Sequence, residues 1–204
     1  LNNKKFYEKN NQIFSLSTSD KLNKIIPINQ EVLGLFGLYV AEGSCGTHFS
    51  IAMNGSTEQK YLSFCEKVLQ KYFNVETYRV TRENSKGEEV RANCRLLEYA
   101  LNNIFGKGAH NKKIPDFIFN LPNEKLVYFL EKMFVGDGCD TNTVHKYRMI
   151  SYTTVSKELA VQIFNLLLKI GCLSSICKNR DAYVISVTGE HCEKLSKIFN
   201  WKSI

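Results

Sequence analysis

Two stretches of the chain carry apolar side chains with little interruption: Leu33–Gly43, LGLFGLYVAEG, and Leu130–Gly138, LEKMFVGDG. Each is of helix length, and each ends on an acid followed by glycine, Glu42-Gly43 in one and Asp137-Gly138 in the other. An apolar helix should not end by carrying a carboxylate inward, because burying an unpaired charge is costly. Two such endings in one chain point to a duplicated unit whose two helices lie side by side and bring two carboxylates to one spot. Adjacent carboxylates repel, so the arrangement needs a divalent cation or a shared proton. In a basic chain the cation is the favoured choice.

The remaining pattern predicts the same elements twice. Asn29-Gln30-Glu31 opens the first helix, which runs to about Glu42 with Gly43 ending it. Its Gly34, Gly37 and Ala41 suit the close approach of another helix, which offsets the roughly 1 kcal/mol that a helical glycine costs against alanine. Thr47–Asn54 alternates, with Phe49, Ile51 and Met53 on one face and His48, Ser50 and Asn54 on the other, as in a half-buried strand. A helix follows over Thr57–Phe73, with Ser56 as its N-cap and Gln59 three residues later. Val75–Thr81 and Glu88–Cys94 read as a hairpin around Asn84-Ser85-Lys86-Gly87. Val90, Ala92 and Cys94 then face one way and Arg91 and Asn93 the other, before a helix over Arg95–Phe105.

The order restarts at about Asn123, with a helix to Asp137, a strand Val144–Tyr152 and a helix Lys157–Ile170. Strands Leu173–Lys178 and Ala182–Thr188 and a helix Glu190–Phe199 complete it. The polar start, Leu1–Pro27, reads as an irregular lead-in with at most a short helix. The division expected is a lead-in over 1–27, a first half over 28–110, a linker over 111–122 and a second half over 123–204, the halves related by a pseudo-two-fold axis.

Composition adds a partner class. The 204 residues suffice for one generous domain or two compact halves. Lys+Arg 27 against Asp+Glu 20 leaves a net charge of +7, which favours a polyanion. The seven cysteines are scattered singly, without the paired spacing of a zinc site or a disulfide framework, and read as buried thiols in a reducing cytosol. No apolar run reaches the ~18–20 residues of a membrane span, and the Asn/Lys-rich start is not a signal peptide. A cytoplasmic or nucleoid-associated protein is expected.

Leu35–Gly43 and Leu130–Gly138 together resemble the paired signature of the LAGLIDADG homing endonucleases, and their surroundings resemble the endonuclease domains of inteins. Ile26-Pro27 before the first motif, Lys112-Lys113-Ile114-Pro115 before the second and the helical Ser156–Gly171 after it extend the likeness to roughly Lys24–Phe199. The resemblance implies an α+β fold of two αββαββα halves, each a saddle of antiparallel strands backed by helices, with a further short strand just after each acid-glycine. It implies a monomeric, Mg2+-dependent enzyme, with Mn2+ or Ca2+ able to substitute in binding. Such an enzyme cuts both strands of a long pseudo-symmetric DNA site and leaves short 3′ overhangs.

Carried onto this chain, the family's metal ligands are Glu42 and Asp137, with Ala41 and Gly136 immediately before them. The catalytic lysine of intein endonucleases is matched by Lys112, and its second-half counterpart by Arg180 with Lys178 as neighbour. Two carboxylates suit a magnesium site, and a divalent ion supplies an activated water and charge neutralisation on a phosphodiester. DNA contact is expected from the strand faces that do not pack on helices. Those candidates are His48, Ser50, Asn54, Arg79, Thr81, Arg91, Asn93, Lys146, Arg148, Lys178 and Arg180.

The pattern departs from the family in two places. Lys132 stands where the family has a small residue at the helix contact, and Val135 stands where an acid is common. The two helices are therefore expected to be offset or more widely spaced, with the lysine stem along the apolar surface and its amine in water. The chain begins at Leu1 and ends at Ile204 without the nucleophile or the His-Asn pair that intein splicing needs. It reads as an endonuclease domain cut from an intein or as a free-standing relative. The competing reading is a non-cleaving nucleic-acid binder on the same scaffold, an RNA-splicing maturase or a DNA-binding regulator.

Overall fold

The computed structural model describes residues 6–81, 86–141 and 148–201. The chain is α+β, and the same seven elements occur twice in the same order. The first set is α1 (Gln30–Glu42), β4 (Gly43–Cys45), β5 (Phe49–Asn54), α2 (Gln59–Val68), β6 (Tyr78–Thr81), β7 (Gly87–Ala92) and α3 (Arg95–Phe105). The second is α5 (Asn123–Asp137), β8 (Gly138–Asp140), β9 (Met149–Thr154), α6 (Lys157–Lys169), β10 (Ser175–Asn179), β11 (Ala182–Thr188) and α7 (Glu190–Ile198). Each set builds a four-stranded antiparallel sheet, ordered β4-β5-β7-β6 in one half and β8-β9-β11-β10 in the other. The short strand expected after each acid-glycine is present in both.

The lead-in is not irregular. β1 (Phe6–Lys9), β2 (Gln12–Ser15) and β3 (Lys21–Asn23) form a three-stranded antiparallel sheet. Asn10 and Asn11 both take positive φ, 51° and 59°, in the two-residue turn between β1 and β2. Asparagine tolerates that conformation, so Asn10-Asn11 is a hairpin signal in a stretch too polar to show strand alternation. The sheet is tied to the first half by Asn23 Nδ2 donating to the Tyr72 carbonyl and by the Arg95 amide donating to Asp20 Oδ2.

Asn29 caps α1 as expected, its Oδ1 accepting from the Val32 amide at 2.9 Å. α2 begins later than predicted: Ser56 does not cap it, and the Asn54 amide instead donates to Glu58 Oε2 at 2.7 Å. Gly43 and Gly138 end their helices with φ of −81° and −82°, which any residue adopts. Space is what requires glycine there. A Cβ on Gly43 would lie 2.2 Å from the Tyr39 ring, and one on Gly138 2.2 Å from the Phe134 carbonyl.

α1 and α5 cross in direct contact at the centre of the molecule. A Cβ on Gly37 would meet the Phe129 carbonyl at 2.3 Å, and one on Gly136 would meet the Ala41 Cβ at 2.6 Å. Each level of the crossing thus needs one glycine, supplied by α1 at one level and by α5 at the other. The wider spacing expected from Lys132 does not occur. Its Cβ rests 3.0 Å from where a Gly37 Cβ would be, while its amine reaches Glu131 at 2.7 Å and lies over the Tyr61 ring. The lysine stem is accommodated because the opposing residue has no side chain.

Gly37→Val should therefore cost about 2–3 kcal/mol in denaturant unfolding, as overpacking against backbone that cannot yield. Lys132→Ala should change stability by less than about 1 kcal/mol. Equal effects from the two variants would remove the glycine-dependent crossing.

Candidate active site

The crossing delivers both motif acids to one place, since a Cβ on Gly136, the residue before Asp137, would lie 2.9 Å from Glu42 Cγ. Burial pushes the Glu42 carboxyl up to about 7, and the charge of Asp137 adds to the shift. Asp137 is also raised by burial, opposed by the Tyr152 hydroxyl and by Lys112. Tyr152 donates to Asp137 Oδ2 at 3.1 Å and is fully buried on β9. The strand pattern gives Tyr152 only as an inward-facing aromatic, so its polar end was not legible as part of the site. Its counterpart in the first half, paired with Gly43 as Tyr152 is with Gly138, is Ile51. The two acids therefore have unlike surroundings.

Lys112 reaches the same place from the linker. Its Nζ donates to the carbonyls of Tyr39 (3.2 Å), Val40 (2.7 Å) and Ala41 (3.0 Å). An ammonium has three donors, and here all three meet the last turn of α1, where the Tyr39 carbonyl also accepts from the Gly43 amide and a helix leaves its final carbonyls unpaired. Burial pushes Lys112 down to about 8, opposed by the charges of Asp137 and Glu42. The linker is fixed in this position by the second half, where Ser156 Oγ donates to the Lys112 carbonyl and Gln162 exchanges two hydrogen bonds with Ile114. A cavity of about 280 Å³ beside the cluster is lined by Val40, Ala41, Lys112, Asp137, Thr153 and Thr154. A larger one of about 990 Å³ flanks α5 beside Tyr61, Tyr128 and Trp201, and neither acid borders it.

Among the described residues no group of three or more His, Cys, Asp or Glu could hold a metal. Two neighbouring carboxylates, both raised mainly by burial, beside backbone carbonyl oxygens nevertheless fit a hard divalent cation that keeps most of its waters. Glu42 and Asp137 would hold it, with the Ala41 carbonyl able to contribute because a carbonyl oxygen keeps a second lone pair beside its bond to Lys112. Gly136 is placed there by packing, as the glycine that lets the acid ends of the helices meet.

The predicted partners in the second half do not join the cluster. Arg180 occupies the turn between β10 and β11 in a left-handed conformation, φ 53°. β10 is the edge strand farthest from β8, about 14 Å away at ordinary strand spacing. Lys178 faces the helices, two residues along from Ile176, whose register partner Ile185 is buried.

The open faces of the sheets sort the DNA candidates. Ser50, Arg91, His48 and Asn93 lie on the open face of the first sheet; Ser50 Oγ bonds Ser44 Oγ at 2.9 Å, and Asn93 accepts from the Tyr78 hydroxyl. Thr47 Oγ1 lies 3.0 Å from His48 Nδ1. Arg79 faces the other way, clamped to α2 through Glu66, Gln59 and Ser63 and to Glu88 on β7. Thr81 shares that helix-backed side. Arg148 likewise turns inward to Asp140 and Ser196. Asn54 is spent on the turn before α2, its Oδ1 accepting from the Ser56 amide. Lys146 lies outside the described residues. Alternation along a strand separates the two faces but does not say which face packs on helices, and a long arginine can satisfy either. Of the seven cysteines five are buried as expected, while Cys139 and Cys177 are exposed.

The family model of a LAGLIDADG-like domain matches residues 124–198. The match takes in most of the second half. Most of the chain, across both halves, superposes on solved structures of that fold. These include the crystal structure of I-DmoI in complex with DNA and Mn, at a TM-score of 0.64 and 13% identity over 87% of this chain and 100% of that one. The homing endonuclease I-WcaI bound to its DNA recognition sequence gives 0.59 and 18% over 87% and 84%, and the N-terminal LAGLIDADG domain of DUF199/WhiA gives 0.59 and 13% over 87% and 87%. Identities this low bear on the fold.

In sequence, the chain is 34% identical over 155 residues to the ATP-dependent DNA helicase Hel308 of Thermococcus kodakarensis, covering 74% of this chain and 14% of the helicase. It is 26% identical to the uncharacterized protein MJ1054 of Methanocaldococcus jannaschii, covering 97% of this chain and 24% of that protein. A DNA polymerase of T. kodakarensis is 27% identical over 82% of this chain and 10% of the polymerase. The chain thus spans less than a quarter of each of these relatives. Among the described residues, no helix is long and apolar enough to cross a membrane.

The raised Glu42 carboxyl makes metal-free stability depend on pH. Glu42 holds its proton more tightly folded than unfolded, so stability is lost as pH rises from the ordinary 4.5 through about 7. In chelator, unfolding free energy should fall by on the order of 2 kcal/mol between about pH 5 and pH 7. Glu42→Gln should flatten the slope, and Ca2+ should restore stability at the upper pH but not the lower. A slope unchanged in Glu42→Gln would show that the carboxylate pair is not its source. Tyr152→Phe, which removes the only side-chain donor to Asp137 among the described residues, should weaken Ca2+ binding severalfold in calorimetry while the fold is retained.

Proposed function

We propose that this chain is a site-specific endonuclease that hydrolyses both strands of a long, pseudo-symmetric DNA duplex. It acts as a monomer with Mg2+ and leaves short 3′ overhangs. The observation that carries the reading is the pair of acids at the crossed ends of α1 and α5, one from each half, with a four-stranded sheet on either side. One carboxylate per half suits one phosphodiester per strand. A divalent ion would supply an activated water and charge neutralisation at the phosphate. Glu42 and Asp137 would hold it, with Tyr152 fixing the orientation of Asp137 and Lys112 stabilising the helix end from which Glu42 projects. That similar folds were solved with DNA and metal supports the reading.

The sequence relatives carry unrelated names, among them a helicase, a DNA polymerase and a component of an A-type ATP synthase, and each matches over a small part of its length. That distribution supports a mobile element of the intein-endonuclease kind, whose chemistry is independent of its host.

The test is cleavage of a randomised duplex library by the intact chain with Mg2+, beside Glu42→Gln and Asp137→Asn. The parent should cut, and each variant should lose at least about a thousandfold in rate while still binding duplex in Ca2+. Selective binding by all three proteins with no cutting would turn the reading to a non-cleaving binder.

A further inference from the structure

The two sheets carry an equivalent row of side chains on their open faces, two residues past each acid, and the rows differ in kind. In the first sheet the row runs Ser44, Ser50, Arg91, Tyr78, one residue from each strand. In the second it runs Cys139, Ser151, Ser186, Ser175. Arg91 is matched by Ser186, and Tyr78 by Ser175. The next open-face row of the second sheet, Thr153, Val184 and Cys177, is also uncharged. Among the described residues of β8 to β11, no charged side chain lies on that face. The two halves share the scaffold and differ in the surface it presents.

Arg91 donates its Nε to Glu89 Oε2 at 2.8 Å, which fixes the guanidinium plane and leaves its terminal nitrogens without a partner among the described residues. Two parallel donors on a fixed plane match the O6 and N7 acceptors of guanine in the major groove. Among the described residues the second face has nothing of this kind. Ser151 is buried, while Ser186 and Ser175 donate or accept and so pair with any base edge. Its Thr153 and Val184 present methyl groups, and the one apolar feature of the major groove is the thymine C5-methyl.

We propose that the two halves read opposite chemistry in one duplex, which rests on the endonuclease reading above. The first half selects guanine through Arg91, and the second selects thymine through the methyl groups of Thr153 and Val184. The preferred site is pseudo-symmetric in length but not in composition, being A·T-biased under the second half. The neutral face also adds no phosphate neutralisation, so the salt dependence of binding arises elsewhere.

The experiment uses the intact chain in Ca2+, so that cleavage plays no part. Bound duplexes are selected from a library randomised in both halves, and binding is then measured with uracil replacing thymine in one half at a time. Guanine should be enriched in one half and thymine in the other. Uracil in the thymine-rich half should weaken binding about threefold per methyl removed, with little effect in the other half. Arg91→Ala should weaken binding to the selected site roughly tenfold, erase the guanine preference and leave the uracil effect intact. Equal preferences in both halves, or indifference to uracil, would overturn the proposal while leaving the endonuclease reading in place. Failure to bind any duplex would remove both. The uracil arm uses the unaltered protein, so it decides the matter even if loss of the Arg91–Glu89 pair unfolds the variant.

Discussion

Two apolar helices cross so closely that at each contact level one of the two partners must be glycine, and the site depends on that crossing. Gly37 admits the backbone of α5 at one level, and Gly136 admits Ala41 and Glu42 at the other. Helix packing usually leaves 8–10 Å between axes, and small residues set the short end of that range. Because the helices end just past the second level, their terminal acids cannot avoid each other. Close packing, which stabilises the fold, creates the electrostatic conflict that a metal would resolve.

The conflict is visible in the ionisation of the residues around it. Burial holds a proton on Glu42 to about 7, and Asp137 is raised as well. Lys112 is placed against both acids, yet its three donors are committed to the carbonyls of Tyr39, Val40 and Ala41. The lysine counters the negative end of the α1 dipole and adds a positive charge near the pair. It neither pairs with a carboxylate nor frees a proton for one. The Tyr152 hydroxyl does the reverse, bonding one acid without bringing charge. One acid has a neutral donor and the other a cation at its helix end, an asymmetry within a two-fold frame.

The same contrast between repeated scaffold and altered chemistry runs through the sheets. Strand order, helix order and the register of each acid-glycine are repeated between the halves. The helix-backed faces are filled in both mainly by buried apolar side chains, Phe49, Ile51 and Val90 in the first and Ile150, Tyr152 and Ile185 in the second, because close packing favours them there. The open faces have no such constraint, and there Arg91 and Tyr78 stand against two serines. Arginines that a linear reading offers to DNA, Arg79 and Arg148, are consumed by carboxylates on the helix-backed side. That leaves fewer cations for a duplex than the net charge of +7 suggests.

The duplicated order of elements, the limits of α3, α5 and β11, and the meeting of two acids at paired helix ends are all legible in the sequence. Each depends on local period, on capping residues such as Asn29, or on an acid where an apolar helix should not have one. The three N-terminal strands were not legible, because their stability comes from docking on the first half rather than from alternation. Nor does any local signal tell that Lys132 is tolerated beside Gly37, that Tyr152 turns its hydroxyl to Asp137, or that Arg79 faces α2 while Arg91 faces out. Those outcomes depend on which residues of distant segments meet. Spacing along a chain gives faces and periods; only the packing of one half against the other decides which polar groups are left to act.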